Sequence, residues 1–270
     1  MLYLVHTHPD DGIGHRVGFE GYTGTQIENT IPAVRALAAA DAAGEYTSDR
    51  IPAVHFPFIE FDVRETKDGE LVLFHDIGLK LAFALDDELE EEENYRSGGG
   101  GGDDKGSDTI ININAKPLRD LAEQGIDWHT ASVEDLTLEQ LLTLHLGGRE
   151  GQHVPTLKEF LEACVESGVR RSLAVEIKSI KTDPARLKCL ELLTWYLDTY
   201  GKLLDKDPLA CKVQYKPLGW AGIIAFPHLF CESFGEFGSV EWRTWAAEMK
   251  KRGISARCVH FHYLNFTTGA

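Results

Sequence analysis

Two carboxylates lie two residues apart in the apolar segment 58–63, at Glu60 and Asp62. In a β-strand, alternate side chains project from the same face, so both acids point one way while the apolar residues between them point the other way. Converging carboxylate oxygens favour a hard divalent cation. An isolated acid pair is also typical of the solvent-facing side of an amphipathic strand, so neighbouring residues must decide between these interpretations.

A predicted β-hairpin places a histidine beside this acid pair. Asp68-Gly69 is a strong turn signal between two strand-like segments. If these two residues form the loop, Asp62 lies directly opposite His75, with both side chains on one face and Cβ atoms about 5 Å apart. The sequence therefore predicts an imidazole next to the carboxylates. The plain alternative is a surface histidine that follows a hairpin.

A second strand, predicted over residues 172–178, repeats the same alternation. Its apolar residues face one way, while Glu176 and Lys178 face the other. At the C-terminal end of a barrel strand such residues read as functional, whereas on an edge strand they form an ordinary surface ion pair. The sequence alone leaves both interpretations open.

A third group of polar residues is His15-Arg16, near the N-terminus. A guanidinium binds phosphate oxygens through two parallel hydrogen bonds. The combined set offers three acids for a cation, two histidines for proton transfer, and Arg16 with Lys178 for an anion. That combination is typical of metal-assisted phosphodiester cleavage.

The elements that must position these residues alternate between helices and strands. Apolar segments 58–63, 173–177 and 222–226 are short enough for buried strands. Start and stop signals bracket at least four helices between or around them: Thr30, Pro32 and Gly44; Thr156, Glu159 and Gly168; Asp183 and Pro184; Ser239 and Gly253. The pattern predicts an α/β fold with a mainly parallel sheet.

Length and composition narrow the class of protein. A chain of 270 residues with 43% hydrophobic residues suits one barrel domain over residues 1–270. The net charge of −16 argues against a broad surface for nucleic acid or anionic membrane. Much of that charge lies in segment 86–108, where acidic runs flank five consecutive glycines, and we interpret this segment as a solvated flexible insertion.

The cysteine spacing and the hydropathy pattern bear on the cellular compartment of the protein. The five cysteines are widely spaced and form no CxxC pair, which suits a reducing compartment. No basic leader and no apolar run long enough for a transmembrane segment is visible, so a cytoplasmic protein is expected. The oligomeric state is left open.

Several motifs in the order and spacing seen here resemble the glycerophosphodiester phosphodiesterase family. The family pattern has His-Arg-Gly, then Glu-Asn-Thr opening a helix, then E-x-D-V-x-x-T-x-D-G and a His-Asp. The matching parts of this chain are His15-Arg16-Val17, Glu28-Asn29-Thr30, residues 60–69, His75-Asp76, residues 154–157 and residues 176–178. The segment from Glu60 to Asp76 is the most specific of them.

The resemblance implies a TIM-type (β/α) barrel of lipid metabolism that hydrolyses glycerophosphodiesters to sn-glycerol 3-phosphate and an alcohol, using Ca²⁺ or Mg²⁺. In the implied mechanism the glycerol 2-hydroxyl attacks phosphorus, and water then opens the cyclic phosphate. Carried over position by position, the resemblance implies that the metal ligands are Glu60, Asp62 and Glu176. The general base and acid are then His15 and His75, and the phosphate-binding cations are Arg16 and Lys178.

The chain departs from the family pattern in three places. Val17 stands where the family has glycine and is expected to crowd the phosphate approach. The apolar run expected before His15 is replaced by residues 9–12, and the nearest strand-like run is 2–5. Residues 257–270 lack the family's closing motif, so we expect a barrel that is incomplete or divergent at its C-terminus.

Other functions fit parts of the sequence. His6 and His8 resemble the H-x-H metal pair of amidohydrolases, and residues 8–11 resemble the opening motif of zinc-dependent de-N-acetylases, but the further ligand motifs of those families are missing. Enzymes like sphingomyelinase D, or other phosphodiesterases, share the chemistry of two histidines and three acids. A degenerate, non-catalytic binding barrel is the alternative outside the enzymes.

Overall fold

The computed structural model describes residues 15–18, 26–43, 58–83, 113–169, 172–206, 223–227 and 240–256. The strands are β1 (Phe58–Glu65), β2 (Leu71–Leu73), β3 (Ser172–Ser179), β4 (Ile223–Pro227) and β5 (Ser255–Ala256). The α-helices are α1 (Ile31–Ala43), α2 (Lys80–Phe83), α3 (Ala115–Glu123), α4 (Leu138–Leu141), α5 (Leu157–Glu166), α6 (Asp183–Lys206) and α7 (Val240–Lys251). Short 3₁₀ turns cover His15–Gly18, Val133–Asp135 and Leu146–Gly148.

The strands form one sheet in the order β2-β1-β3-β4-β5. Neighbours from β1 to β5 pair in parallel, and β2 pairs antiparallel with β1. A helix follows each of β3 and β4 before the next strand begins, which is the repeating unit of a TIM-type barrel. The predicted α/β class with a mainly parallel sheet is confirmed.

The helices begin where the sequence signals predict. Before α1, the Thr30 hydroxyl accepts a hydrogen bond from the Ala33 amide at 3.3 Å. Before α5, Thr156 and Glu159 form a reciprocal capping box, in which the Glu159 amide donates to the Thr156 hydroxyl at 3.2 Å and the Thr156 amide donates to the Glu159 carboxylate at 2.9 Å. Each pair satisfies helix amides that would otherwise have no partner.

A first core lies between the sheet and helices α1, α5, α6 and α7. Its members come from alternate positions of the strands and from the inner faces of the helices, among them Ile59, Phe61, Val63, Leu173, Val175, Ile177, Val34, Leu37, Phe160, Leu161, Leu190, Leu193 and Met249. The predicted alternation in β1 and β3 is therefore confirmed, because these odd-numbered residues pack in the helix-side core. The intervening acids and lysine lie on the other face.

A second core packs on the hairpin of β1 and β2 and is built from residues 27, 72–83 and 118–154. It includes Val72, Phe74, Leu79, Phe83, Leu118, Leu121, Val133, Leu136, Leu141, Leu144, Leu146 and Val154. Two backbone links join its parts: an isolated bridge between Gly78 and Ser132, and a hydrogen bond of 3.2 Å from the Leu79 amide to the Ala131 carbonyl. This core borders the segment that carries His75.

Some predictions fall outside the described residues. These are the strand-like run 2–5, the insertion 86–108 and the closing segment 257–270. In the described part of the chain, no helix is both long enough and apolar enough to cross a membrane.

Candidate active site

Three carboxylates converge on the face of the sheet opposite the first core. Glu60 and Asp62 lie on β1, and the parallel register sets Asp62 beside Glu176 of β3. One oxygen from each of the three carboxylates lies within 4.8 Å of the others. Glu60 and Asp62 are fully buried and Glu176 is 7% exposed. The structure thus brings together the three acids that the sequence suggested as metal ligands.

Two neighbouring segments hold the acids in place. The Asn29 amide nitrogen donates to Asp62 Oδ2 at 2.8 Å, and the Arg16 backbone amide donates to Glu60 Oε2 at 2.8 Å. Asn29 has φ of +55°, a left-handed conformation that asparagine tolerates. These contacts fix one oxygen of each carboxylate and leave the second for other partners.

Burial and mutual repulsion determine the charge state of the cluster. Burial, followed by the nearby Asp62 carboxylate, raises the pKa of Glu60 well above its ordinary value. A carboxyl group with a raised pKa binds a proton more readily, and a cation placed among the acids would oppose that effect.

Lys178 contributes a positive charge to this cluster. Its Nζ lies 2.8 Å from Glu176 Oε1 and 3.3 Å from Asp62 Oδ1. Burial alone would lower the pKa of Lys178, but Asp62 and Glu176 outweigh it and the pKa is raised. The pairing of β1 with β3 jumps from Val63↔Ile177 to Arg64↔Ser179, so Lys178 sits at a β-bulge. Bulges of this kind redirect side chains next to functional sites.

The cluster fits a hard divalent cation. All three candidate ligands are carboxylates, which Ca²⁺ and Mg²⁺ prefer. Asp62 Oδ1 is buried, and its described partner is the Lys178 ammonium at 3.3 Å. A buried carboxylate oxygen in that state is suited to a cation.

Arg16 reaches the site from the 3₁₀ turn at His15–Gly18. Its Nη1 pairs with Glu28 Oε2 at 2.8 Å, and the Glu28 side chain is 1% exposed. Burial would lower the pKa of Arg16, but the Glu28 carboxylate outweighs it, so the pKa is raised. The guanidinium is therefore held as a fixed positive charge at the edge of the acid cluster.

Val17 adopts a backbone conformation that suits glycine. Its φ is +70° and that of Arg16 is +48°, both in the left-handed region. A β-branched residue is rarely found there, which accounts for glycine at this position in the family pattern. The Val17 side chain is fully buried and belongs to the first core.

The predicted hairpin is present, but its predicted register is wrong by one residue. The observed pairs Val63↔Leu73 and Arg64↔Val72 place Phe74, not His75, opposite Asp62. The loop has three residues instead of two, because the Thr66 amide donates to the Glu70 carbonyl at 2.8 Å. Gly69, with φ of +83°, supplies the left-handed residue that ends such a loop.

His75 nevertheless reaches the site because β2 ends at Leu73 and the chain then leaves the sheet. The His75 Nε2 lies 2.7 Å from Arg16 Nη2, and its Nδ1 lies 2.9 Å from Asp76 Oδ1. A guanidinium can only donate, so Nε2 accepts and the ring proton is on Nδ1, where it is donated to Asp76. In this tautomer the Nε2 lone pair points at the Arg16 guanidinium.

His75 also lines a small cleft between the two cores. The other residues around this cleft come from the helix-opening motif, from the end of β2 and from the second core: Glu28, Asn29, Leu73, Phe74 and Leu146. His15 begins the 3₁₀ turn next to Arg16, and the placement of its side chain lies outside the described part of the chain. His6 and His8 also lie outside it.

Four supporting residues of the site were assigned no role from the sequence. Glu28 pairs with Arg16, Asn29 with Asp62, Asp76 with His75, and Arg64 with the His75 carbonyl. Glu28, Asn29 and Asp76 belong to the motifs Glu28-Asn29-Thr30 and His75-Asp76, so the family motifs could have indicated them. Nothing in the sequence pointed to Arg64 except its place in the predicted strand.

Several solved phosphodiesterase structures are similar to this chain. The phosphodiesterase from Oleispira antarctica, described in complex with the product sn-glycerol-3-phosphate, is 16% identical; 90% of this chain and 63% of that chain are covered, with a TM-score of 0.40. For the glycerophosphoryl diester phosphodiesterase domain of a Mycobacterium tuberculosis protein, the identity is 15%, the coverages are 90% and 57%, and the TM-score is 0.38. A glycerophosphodiester phosphodiesterase from Agrobacterium tumefaciens is 18% identical; 88% of this chain and 62% of that chain are covered, with a TM-score of 0.39.

The chain thus spans less than two thirds of each of these three structures. No curated protein sequence matches the chain. The sequence model of the glycerophosphoryl diester phosphodiesterase family matches residues 15–210, which is most of the chain and includes every residue of the candidate site. Since the TM-scores are low, the assignment rests on this match. The chain belongs to the glycerophosphoryl diester phosphodiesterase family.

Proposed function

We propose that the protein hydrolyses glycerophosphodiesters to sn-glycerol 3-phosphate and an alcohol in a reaction that depends on Ca²⁺ or Mg²⁺. The observation that carries this proposal is the convergence of three buried carboxylates with Arg16, Lys178 and His75 on one face of the sheet. Family membership supports the same reaction.

The cation ligands in this proposal are Glu60, Asp62 and Glu176. When bound, the cation offsets the negative charge that develops on the phosphoryl oxygens. The chain's own contribution is to keep the ligands fixed through the Asn29 side chain and the Arg16 backbone amide. The raised pKa of Glu60 predicts that cation binding weakens as the pH falls, because protons compete for that carboxylate.

Arg16 and Lys178 are the groups proposed to bind the phosphate. Both are positively charged, and both pKa values are raised by neighbouring carboxylates. The pairing of Arg16 with Glu28 limits how far the guanidinium can move, which supports a fixed orientation toward an anion.

Proton transfer is assigned to His75 and His15. In the first step the glycerol 2-hydroxyl oxygen bonds to phosphorus, the bond from phosphorus to the alcohol oxygen breaks, and the hydroxyl proton passes to a base while an acid protonates the departing oxygen. In the second step water attacks phosphorus and opens the ring. The fixed orientation of the His75 ring between Arg16 and Asp76 supports His75 as one of these two groups, with His15 as the other.

Turnover of glycerophosphocholine tests this proposal. Enzyme treated with a chelator should release no sn-glycerol 3-phosphate, and added Ca²⁺ or Mg²⁺ should restore release. A substrate analogue without the glycerol 2-hydroxyl should not be cleaved, because the cyclic phosphate cannot form. Release that continues in chelator would refute the cation dependence, and release from the analogue would refute the two-step mechanism.

A further inference from the structure

The segment that carries His75 lies outside the regular sheet. Strand β2 ends at Leu73, and the last ladder-like bond is donated by the Phe74 amide to the Asp62 carbonyl at 3.2 Å. His75 itself lies between the end of β2 and the isolated bridge of Gly78 with Ser132. The His75 carbonyl accepts a hydrogen bond from Arg64 Nη2 at 2.9 Å.

Arg64 lies on β1, two residues after Asp62, and is 4% exposed. It is therefore carried by the same strand that carries two of the candidate cation ligands. A single rigid strand thus connects those carboxylates to the backbone of His75.

The other end of the guanidinium is also held. Arg64 Nη1 donates to Glu134 Oε1 at 3.0 Å, and Glu134 belongs to the 3₁₀ turn Val133–Asp135 of the second core. Glu134 is in turn paired with Lys181, just beyond β3. Burial would raise the pKa of Glu134, but Lys181 and Ser179 outweigh it and the pKa is lowered, so the carboxylate stays charged. Because a guanidinium is planar, these two bonds fix its position and direction.

We propose that Arg64, supported by Glu134, is a positioning residue that sets the distance between the His75 imidazole and the cation carboxylates. The inference rests on the proposed function, in which His75 transfers a proton. A catalytic group displaced by about 1 Å can cost on the order of 100-fold in rate. Loss of the two Arg64 hydrogen bonds should therefore slow turnover without removing any group proposed to touch the substrate.

Arg186 offers a matched control. It is 7% exposed, its Nε donates to the Ile180 carbonyl at 3.3 Å, and its Nη1 pairs with Asp183 at 2.9 Å. Like Arg64, it is a buried arginine that joins a backbone carbonyl to a carboxylate. It does so at the start of α6, where its described partners include Ile180, Asp183 and the ring of Trp245.

The test compares Arg64→Lys with Arg186→Lys. Both variants should lose stability to urea, because lysine cannot reach two acceptors with fixed geometry. Only Arg64→Lys should lower kcat for glycerophosphocholine, by roughly 10- to 100-fold, with KM and the Ca²⁺ affinity measured by calorimetry within about twofold of wild type. A purely structural role for Arg64 would lower stability in both variants and leave kcat alike.

Glu134 supplies the second test, and it carries the proposal if Arg64→Lys does not fold. Glu134→Gln keeps an oxygen that accepts from Arg64, so kcat should be nearly retained, whereas Glu134→Ala should lower kcat as Arg64→Lys does. Equal kcat values in Arg64→Lys and Arg186→Lys, or no drop in Glu134→Ala, would overturn the proposal. Full turnover in His75→Ala would instead refute the proposed function.

Discussion

Two regions bring residues to the same site in different ways: the face of β1 and β3 opposite the first core, and the segment after β2. Glu60, Asp62 and Glu176 are placed by strand pairing, and each lies where a period of two puts it. His75 is placed by individual contacts, to Asp76, Arg16 and Arg64. The proposed cation ligands therefore depend on the sheet as a whole, whereas the proposed proton-transfer group depends on a few replaceable side chains.

Asp62→Asn should give the largest effect, because it removes charge from the ligand set that the sheet positions. We expect Ca²⁺ affinity to fall by more than the roughly 10–100-fold typical of residues that only support metal ligands. Turnover should fall with it. Calorimetry and the glycerophosphocholine assay measure both, and Glu70→Gln is the control, since Glu70 lies in the same hairpin and pairs with Lys188. Unchanged affinity in Asp62→Asn would remove Asp62 from the ligand set.

Asp76→Asn should separate the two regions. An amide nitrogen turned toward His75 Nδ1 would donate to it and favour the wrong tautomer. Turnover should fall on the order of 100-fold, within the range of a lost acid–base group, while Ca²⁺ affinity stays at the wild-type value. The measurements are kcat at saturating Ca²⁺ and the binding isotherm, with Asp127→Asn as control. A matching drop in affinity would show that the regions are not separate.

Asn29→Gly tests whether the Asn29 side chain supports the strand carboxylate of Asp62. Glycine accepts the left-handed backbone at this position, so the change removes only the side chain that donates to Asp62. Ca²⁺ affinity should fall about tenfold, at the lower end of effects for residues that support metal ligands. At saturating Ca²⁺, kcat should recover to near the wild-type value. Recovery that fails would mean that Asn29 acts on more than Asp62.

Gly69→Ala should give the smallest effect and tests the left-handed backbone at the hairpin turn. Gly69 has φ of +83°, and a methyl group added there would meet Glu65 Oε1 at 3.9 Å, which is an ordinary contact. The cost is therefore conformational, about 1–2 kcal/mol of unfolding free energy. Urea unfolding measures it. Gly78→Ala, where the backbone is not left-handed, should cost less. Equal costs would contradict the left-handed backbone at Gly69.

The strand acids were predictable from the sequence because alternation is a local property that survives small errors in strand ends. The register between β1 and β2 was not, because it depends on whether the turn holds two or three residues, and both loops use Asp68-Gly69. The roles of Arg64 and Glu134 could not be predicted, since these residues are 70 positions apart and meet only through packing of the second core. The family motifs indicated Glu28, Asn29 and Asp76 without indicating their partners.

The most direct test of this division of roles is to measure Ca²⁺ binding and glycerophosphocholine turnover on one preparation of His75→Ala. His129→Ala, at an exposed histidine stacked on Trp128, is the control. We expect His75→Ala to bind Ca²⁺ with the wild-type affinity and to lose roughly 10²–10⁴-fold in turnover. Turnover at the wild-type rate, or loss of Ca²⁺ binding together with turnover, would contradict the account.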